Sequence, residues 1–600
     1  MILVFGGTTE GRMAVKEMEE AGFKYYYSTK TGEQQLSLHN GIMVSGGMDA
    51  QEIESFCSDN EIKLIIDAAH PFAEQLHKNI SQAAKALNIK VIRFERIYPP
   101  RNPHIVWCED FADAIEKMKG VKKLLSTAGV QSIAKLKPLQ ENGVEIYHRI
   151  LERESSMKTA RENGVNLSHL CFYNGVEDSS NLFSSINPDA VLVKESGETG
   201  GEEEKILSAL KLGIKVFALK RPSMPEEFIT VNGPYGMRRM VEKLLPGFYP
   251  LHSGLTTGSC ATASAVASAI ALMEKEFPES VKIALPDGED IDVEVFYKNV
   301  DENETSNTGV KAYVIKDSGD DPDVTDKMEI CAEVERTFGE EIQIFGGEGI
   351  GKITLPGFDY PPGESAINKA PREMIRSNLS KLFPGVGFKV TISVPGGEEI
   401  AHRTFNPRLG IVGGISIIGV SGIIKPFSEE SFVGSIRKCM EVAKASGKDC
   451  VVINSGAKSE GALKEHFKEL PSQCFVQYGN KIGESIKIAV ELGIKNINLG
   501  IMLGKAVKLA AGNLDTHSSN VTMDRDFIAE LLKDAGCAEN IVNKAYTITL
   551  ARELWSVIPL KELRSFIKIV IEKCTECCKE VTQEAHLSVL LIDENYKIYS

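Results

Sequence analysis

The sequence predicts a multidomain chain built of α/β and α+β parts, and three observations lead there. The chain has 600 residues, more than one ordinary core can organise. Its first part alternates short apolar runs with amphipathic stretches, the pattern of parallel strands covered by helices. Then "LLPGFYP" punctuates the chain, and "LHSGLTTGSCATASAVASAIALM", Leu251 to Met273, reads as a new beginning.

Composition narrows the function classes. Hydrophobic residues make up 42% and charged residues 25%, ordinary for a globular protein. The formal net charge is −15, which argues against a nucleic-acid or membrane-surface binder. Any anionic ligand must then find locally basic pockets. The most apolar run, "IVGGISIIGVSGII" from Ile411, is short and broken by glycine, so no membrane span is expected. The chain opens on strand-like "MILVF" with no charged leader, and the 12 cysteines are scattered. Both features suit a reducing cytoplasm. "CTECC" at Cys574, Cys577 and Cys578 has no second pair near it and reads as part of a C-terminal helix rather than a metal site.

The elements follow in order. Ile2 to Phe5 is a buried strand, "GGTTEG" a turn, and Met13, Val15, Met18 and Ala21 give the next helix an apolar side until Gly22 stops it. The turn offers backbone amides at a helix N-terminus, so Gly6, Gly7, Thr8 and Thr9 are candidate phosphate binders. The second strand ends in Ser28, Thr29 and Lys30, where an NAD-preferring fold carries an acidic residue, and these side chains tolerate a 2′-phosphate. Further strand-then-helix units place His70, then Thr127 and Gly129, then Lys194, Ser196 and Gly197 at strand C-terminal ends, where ligands gather in open α/β sheets. His70, Thr127 and Gly129 are expected near the cofactor, Ser196 and Gly197 near substrate.

"ILVFGGTTEGR", "DAAHPF", "FERI", "LLSTAG" and "VKESGETGGEEEKI" followed by "ALKLGIKVFALKRP" together resemble the precorrin-6A (cobalt-precorrin-6A) reductase family, in order, over roughly the first 245 residues. The resemblance implies two Rossmann-like halves, about 1–103 and 104–245, with a nicotinamide and a tetrapyrrole between them. Hydride transfer to a corrin precursor needs alignment and one acid, and Lys194 is the candidate. The family's asparagine after this lysine is replaced here by Glu195.

After a linker at 246–253 the second part, 254–600, begins. Thr256 and Thr257 cap a helix of small residues that lets backbone or ligand come close, and both are candidate substrate binders. Cys260 sits in its first turn without a nearby histidine partner. "VIKDSGDDPDVTD" is acidic and turn-rich but lacks calcium-loop spacing. "IFGGEGIGKITLPGF" is glycine-rich without the ending of a nucleotide P-loop. Downstream come Arg408, Lys425, and Lys505 with Lys508 on one helix face, then Thr516, His517 and Ser518.

"GLTTGSCATAS", "VIKDSGDDPDVT", "GGEGIGKITLPG", "PPGESAINKAPREMI", "TFNPRLGIVGGISIIGVSGIIKPFSEES" and "GKAVKLAAGNLDTHSS" resemble the cobalt-precorrin-5B C-1 methyltransferase family of cobalamin synthesis. That resemblance implies S-adenosylmethionine as donor and an α+β part followed by an α/β part. The family's Gly-His before Gly504 and Lys505 is absent, Met502 standing in that stretch. Gly346, Gly347, Glu348, Gly413 and Gly414 are expected near the cofactor. Arg408, Lys425, Lys505 and Lys508 are expected near substrate carboxylates, with Asp317 and His517 handling protons. No metal site is expected. The reading is a bifunctional enzyme using S-adenosylmethionine and NADPH or NADH on cobalt-precorrins, and homo-oligomerisation is compatible with it. A tetrapyrrole-binding protein lacking one or both activities, or a dehydrogenase fused to an unrelated module, stay open.

Overall fold

The computed structural model describes all residues except 31, 33, 35, 174–178, 299–309 and 518–520. Ser518 therefore lies outside the described residues. The chain forms two compact units. One is Met1–His252 with Asp287–Ile291, the other Ser253–Pro286 with Asp292–Ser600.

The first unit holds two parallel six-stranded sheets. Its strands are β1 (Ile2–Phe5), β2 (Tyr25–Thr29), β3 (Gly41–Ser45), β4 (Leu64–Asp67), β5 (Lys90–Glu95), β6 (Val106–Cys108), β7 (Lys123–Ser126), β8 (Glu145–Leu151), β9 (Leu170–Tyr173), β10 (Ala190–Lys194), β11 (Lys215–Leu219) and β12 (Ile229–Asn232). The orders are β12-β5-β4-β1-β2-β3 and β6-β11-β10-β7-β8-β9. Each contains the doubly wound order 3-2-1-4-5, with its switch point between the first and fourth strands of the set. Both faces are covered, so strands read as unbroken apolar runs: Ile2 and Val4 enter one core, Leu3 and Phe5 another.

The sixth strands correct the expectation of two contiguous halves at 1–103 and 104–245. β12 lies after the whole second sheet in sequence, yet it pairs in parallel with β5 of the first. Register Ile229↔Ile92 to Asn232↔Glu95 closes an edge that β5 would otherwise expose. β6 likewise caps β11 at the far edge of the second sheet. The chain crosses between the sheets twice.

Helix α1 (Thr9–Ala21) shows how local chemistry sets the elements. Thr8 is extended (φ −125°) and its hydroxyl accepts the Gly11 amide, while Gly22 closes the other end at φ 72°.

In the second unit the small-residue helix Thr257–Glu274 packs on a five-stranded sheet. That sheet runs Phe296–Lys298, Val310–Ile315, Glu329–Thr337, Gly387–Ser393, Ile342–Gly346, antiparallel except for the last pair. Its serines reach the sheet backbone. Ser264 Oγ donates to Ile330 O at 2.7 Å, and Ser268 Oγ donates to Ala332 O at 2.8 Å while accepting from Ala312 N at 2.9 Å. The small side chains serve helix-on-sheet packing.

A second sheet in this unit runs Phe475–Gln477, Cys450–Asn454, Asn496–Met502, His586–Ile592, Ile598–Tyr599, parallel but for the last strand. The helix Leu560–Thr582 covers it, with Cys574 and Cys578 fully buried and Cys574 Sγ 3.2 Å from Ala506 O. Burial pushes both thiols up, as core cysteines. Among the described residues no helix is long and apolar enough to cross a membrane, and no group of three metal-ligating side chains forms.

Candidate active sites

In the first unit several strand ends of the two sheets meet: Lys194 lies over Phe72, Arg96 donates to the Ser196 carbonyl, and Thr199 donates to Glu10. A buried network below them fixes the "DAAHPF" loop. Asp67 is wholly buried and meets His77 Nδ1 at 2.7 Å and Arg93 at 3.1 Å. Arg93 donates to the Ala69 carbonyl at 2.9 Å, Asp67 accepts the Ala69 amide at 3.1 Å, and His77 Nε2 lies 3.2 Å from the His70 carbonyl. The loop that carries His70 and Phe72 is thereby held by charge-assisted bonds.

His70 Nδ1 accepts the Phe72 amide at 3.2 Å. Burial, then Arg96, Lys194 and Arg93, push its pKa to about 3, so the ring stays neutral at working pH. Lys194, ending β10, lies over the Phe72 ring at 4.7 Å. Burial and then Lys135 lower its pKa to about 8. Burial is the main reason His70 stays neutral, and the cationic side chains of Arg96, Lys194 and Arg93 around it mark a pocket suited to an anionic ligand.

Other expected residues are placed as follows. Gly6 must be glycine because a Cβ would lie 2.1 Å from the Tyr27 hydroxyl, whereas Gly7, at φ 95°, faces open space. The amides of both are engaged, Gly6 with Ser28 O and Gly7 with Tyr27 Oη at 3.0 Å. This corrects the expectation that these two offer their amides to phosphate: a tyrosine from the next strand takes the Gly7 N–H. Thr9 accepts from Arg12 at 3.1 Å. Ser28 and Thr29 are buried in β2, Thr29 Oγ1 accepting the Gly32 amide, and Lys30 is exposed beyond them. Thr127 donates through amide and hydroxyl to Leu192 O, and Gly129 turns at φ 84°. Ser196 and Gly197 belong to a self-bonded turn in which Gly197 N donates to Glu202 at 2.8 Å. Glu195 is buried by pairing with Arg101 (2.9 Å) and Arg221 (3.1 Å).

The second unit corrects the reading of Thr256 and Thr257 as substrate binders. Both are buried, and the N-terminus they cap is taken by the chain's own loop. Gly258 N donates to Ile418 O at 2.9 Å, Ile418 N to Thr257 Oγ1 at 2.9 Å, and Ser259 N to Thr256 Oγ1 at 3.1 Å. The glycine turns are equally tight. A Cβ on Gly346 would meet Ser365 Oγ at 2.7 Å, on Gly347 Ser393 Oγ at 2.5 Å, and on Gly414 the Gly349 carbonyl at 2.3 Å. The Gly347 amide is spent on Ile392 O at 2.7 Å. Gly346 and Gly347 make room for neighbouring side chains and Gly414 for the Gly349 backbone; Gly413, at φ 80°, faces open space and Glu348 is exposed beside the turn. Arg408 is committed to the buried Glu460 at 2.7 Å.

At the C-terminal ends of the second parallel sheet the basic side chains do meet. Lys505 lies over the Tyr478 ring at 5.4 Å and donates to the Gly479 carbonyl; burial and then Lys508 lower its pKa to about 8. Lys508 donates to Thr516 O at 3.4 Å. Lys481 joins Asp515 (2.7 Å) and Glu429 (2.8 Å), and the His517 amide donates to Asp515 at 2.9 Å. Lys425 and Ser428 form the turn that starts the helix Glu429–Ala445. The acidic loop touches that turn: Asp321 accepts the Phe427 amide at 3.1 Å. Within the loop, buried Lys316 is held by Asp323 at 2.9 Å, and exposed Asp317 meets Lys327 at 3.2 Å.

Residues not singled out from sequence include Arg96, Phe72, Tyr478 and Lys481. Arg96 directly follows β5 in "FERI", a strand-end position that could have flagged it.

Comparison with known proteins fits this division. A cobalt-precorrin-5B C(1)-methyltransferase of Prosthecochloris aestuarii (strain DSM 271 / SK 413) is 38% identical over 350 residues, spanning 57% of this chain and 94% of that protein. The chain belongs to the cobalt-precorrin-5B C(1)-methyltransferase family. A relative of the same name from Geobacillus kaustophilus (strain HTA426) is 37% identical, over 56% of this chain and 89% of its own length. The CbiD family model matches residues 247–426 and the model "CbiD, C-terminal domain" residues 515–600. Residues 1–235 match a second family, "Precorrin-6x reductase CbiJ/CobK". The methyltransferase-family chain thus carries a reductase in front, and is a bifunctional enzyme of cobalamin biosynthesis. Among solved structures, it is similar to a CobK precorrin-6A reductase (20% identity, 41% of this chain and 97% of that one, TM-score 0.33). It is also similar to a CbiD cobalamin biosynthesis protein from Archaeoglobus fulgidus (30% identity, 48% and 85%, TM-score 0.25).

Proposed function

We propose that the second unit methylates cobalt-precorrin-5B at C-1 with S-adenosylmethionine, and that the first reduces the resulting cobalt-precorrin-6A to cobalt-precorrin-6B with NADPH or NADH. The observation that carries this reading is the coincidence of two family matches, for consecutive steps, with separate stretches of one chain. The carboxylates of a tetrapyrrole suit the basic strand ends found in both units.

In the first unit the residues fit a dinucleotide: a parallel switch point, a helix N-terminus, and Gly7 facing open space. When bound, the nicotinamide supplies the hydride. Lys194, protonated below about pH 8, donates the proton that completes reduction of a ring double bond. The Phe72 ring, 4.7 Å away, holds that ammonium in place. Exposed Lys30 favours a 2′-phosphate over a bare ribose.

In the second unit the fit to S-adenosylmethionine rests on the open face at Gly413 and the neighbouring Glu348. The sulfonium supplies an activated methyl group, so the protein must align the macrocycle and exclude water. Lys505, Lys508 and Lys425 hold substrate carboxylates, and Asp317 and His517 are the candidates for proton removal from the methylated ring. The test is to supply cobalt-precorrin-5B, S-adenosylmethionine and a nicotinamide together and identify products by mass. A single added methyl group followed by two added hydrogens is expected; no mass change would reject both activities.

A further inference from the structure

Between the two sheets of the first unit, one carboxylate stands at the mouth of the best-placed helix N-terminus. Glu10 is the second residue of α1 and is 3% exposed. Its Oε1 accepts from Thr199 Oγ1 at 2.5 Å, in the turn that follows β10 of the other sheet. Its Oε2 lies 3.1 Å from Arg96 Nη2 but without the alignment of a hydrogen bond. Arg96 is 8% exposed. Its Nη1 donates to the Ser196 carbonyl at 2.7 Å, and its Nε has no hydrogen-bond partner.

A buried guanidinium with an orphaned Nε is costly, because that N–H has left water without replacement. A planar fork is best matched by a bidentate oxyanion, and Glu10 offers it only one misaligned oxygen. The surroundings favour a stronger anion. Burial and then nearby cations hold His70 neutral, and burial also lowers Lys194 and Lys205, both of which sense cationic neighbours. Burial opposes ionisation of Glu10, yet Arg96, Thr199 and helix contacts hold its carboxyl below the usual range. Glu10 is thus an anion kept where a ligand's anion belongs.

We propose that Arg96 is the receptor for a phosphate of the nucleotide cofactor, and that Glu10 is an internal competitor which that phosphate displaces. The inference rests on the reductase reading of this unit. Displacement also releases Thr199, so nucleotide binding loosens the turn 196–201, whose Gly197 packs 2.8 Å (as a Cβ) from the Ile97 carbonyl. Cofactor occupancy and the shape of the neighbouring substrate side are thereby coupled through one carboxylate.

The test uses the full chain and three probes: NADPH, inorganic pyrophosphate, and an octacarboxylate porphyrin. Glu10→Gln keeps an acceptor for Thr199 but removes the competing charge. It is expected to tighten NADPH and pyrophosphate by roughly threefold to tenfold. Arg96→Gln is expected to weaken both by roughly tenfold or more, as loss of a charge-assisted contact. Porphyrin binding should change by less than about twofold in either variant, judged on the same scale. If Arg96→Gln does not fold by circular dichroism, Arg96→Lys, which keeps charge but loses the fork, carries the same expectation at smaller size. Unchanged pyrophosphate and NADPH affinity in Glu10→Gln overturns the competitor role. Weakened porphyrin with unchanged pyrophosphate in the Arg96 variant reassigns the residue to substrate carboxylates and overturns the proposal. If pyrophosphate responds as expected but the wild-type chain never binds NADPH, the phosphate receptor stands and the reductase reading fails.

Discussion

Replacing Lys194 by methionine should raise the stability of the first unit at neutral pH while removing its proton donor. The lysine's ordinary value of 10.5 falls to about 8 in the fold, chiefly by burial. That difference corresponds to at most about 3 kcal/mol; partial solvent contact reduces it to about 1–3 kcal/mol. Below pH 8 the folded and unfolded forms are both protonated, and the folded form bears the full penalty of a buried cation. Between about 8 and 10.5 the folded form sheds its proton first, and the penalty fades. Wild-type stability therefore rises with pH across that window. Methionine does not titrate, so its advantage is largest near pH 7 and small near pH 10. For a unit of this size the gain is about 2–12 °C in melting temperature at pH 7. Scanning calorimetry at the two pH values measures it. The same titration should appear in catalysis: single-turnover reduction of cobalt-precorrin-6A falls about tenfold per pH unit above 8 in the wild type. In Lys194→Arg, whose side chain stays charged, that limb disappears. An equal melting gain at both pH values, or an alkaline limb unmoved in Lys194→Arg, would refute the assignment of Lys194 as a buried, titrating acid.

Lys508→Ala should raise the apparent KM for cobalt-precorrin-5B by about tenfold, with S-adenosylmethionine affinity unchanged by calorimetric titration; an unchanged KM at low salt rejects the carboxylate role. Lys30→Asp should shift nicotinamide preference from NADPH toward NADH in steady-state kcat/KM. A preference for NADH in the parent that the substitution leaves alone rejects the 2′-phosphate reading. Gly349→Ala places a Cβ 1.9 Å from the Val394 carbonyl at φ 73° and should cost the second unit about 2–4 kcal/mol by thermal unfolding. Lys316→Met leaves Asp323 without its buried partner and should destabilise the same unit by about 2–4 kcal/mol, more at pH 7 than at pH 3, where that carboxylate is closer to neutral.

Much of this protein is local chemistry, and local chemistry is legible in sequence. The apolar run Ile2 to Phe5, the Thr8 cap and the Gly22 stop mark β1 and α1 within the first 22 residues, although β1 is completed only by pairing with β2 and β4. The restart at Leu251 was visible as a break in pattern, and the strand-end positions of His70 and Lys194 followed from periodicity alone. Other features were decided by partners far along the chain. β12 joins the first sheet because β5 offers an unpaired edge, a fact no window around Ile229 contains. Thr256 and Thr257 look like an anion site until the Ile418 loop, 161 residues away, takes the hydroxyl and amide bonds. Gly346, Gly347 and Gly414 look like a cofactor cradle until Ser365, Ser393 and the Gly349 carbonyl close on them. Arg96 gains meaning only beside Glu10 and Ser196, which belong to different strand ends. A polar or glycine residue declares what bonds it is able to make; which partner takes them is settled by burial, because inside the fold each donor must find its acceptor among whatever the tertiary packing brings near.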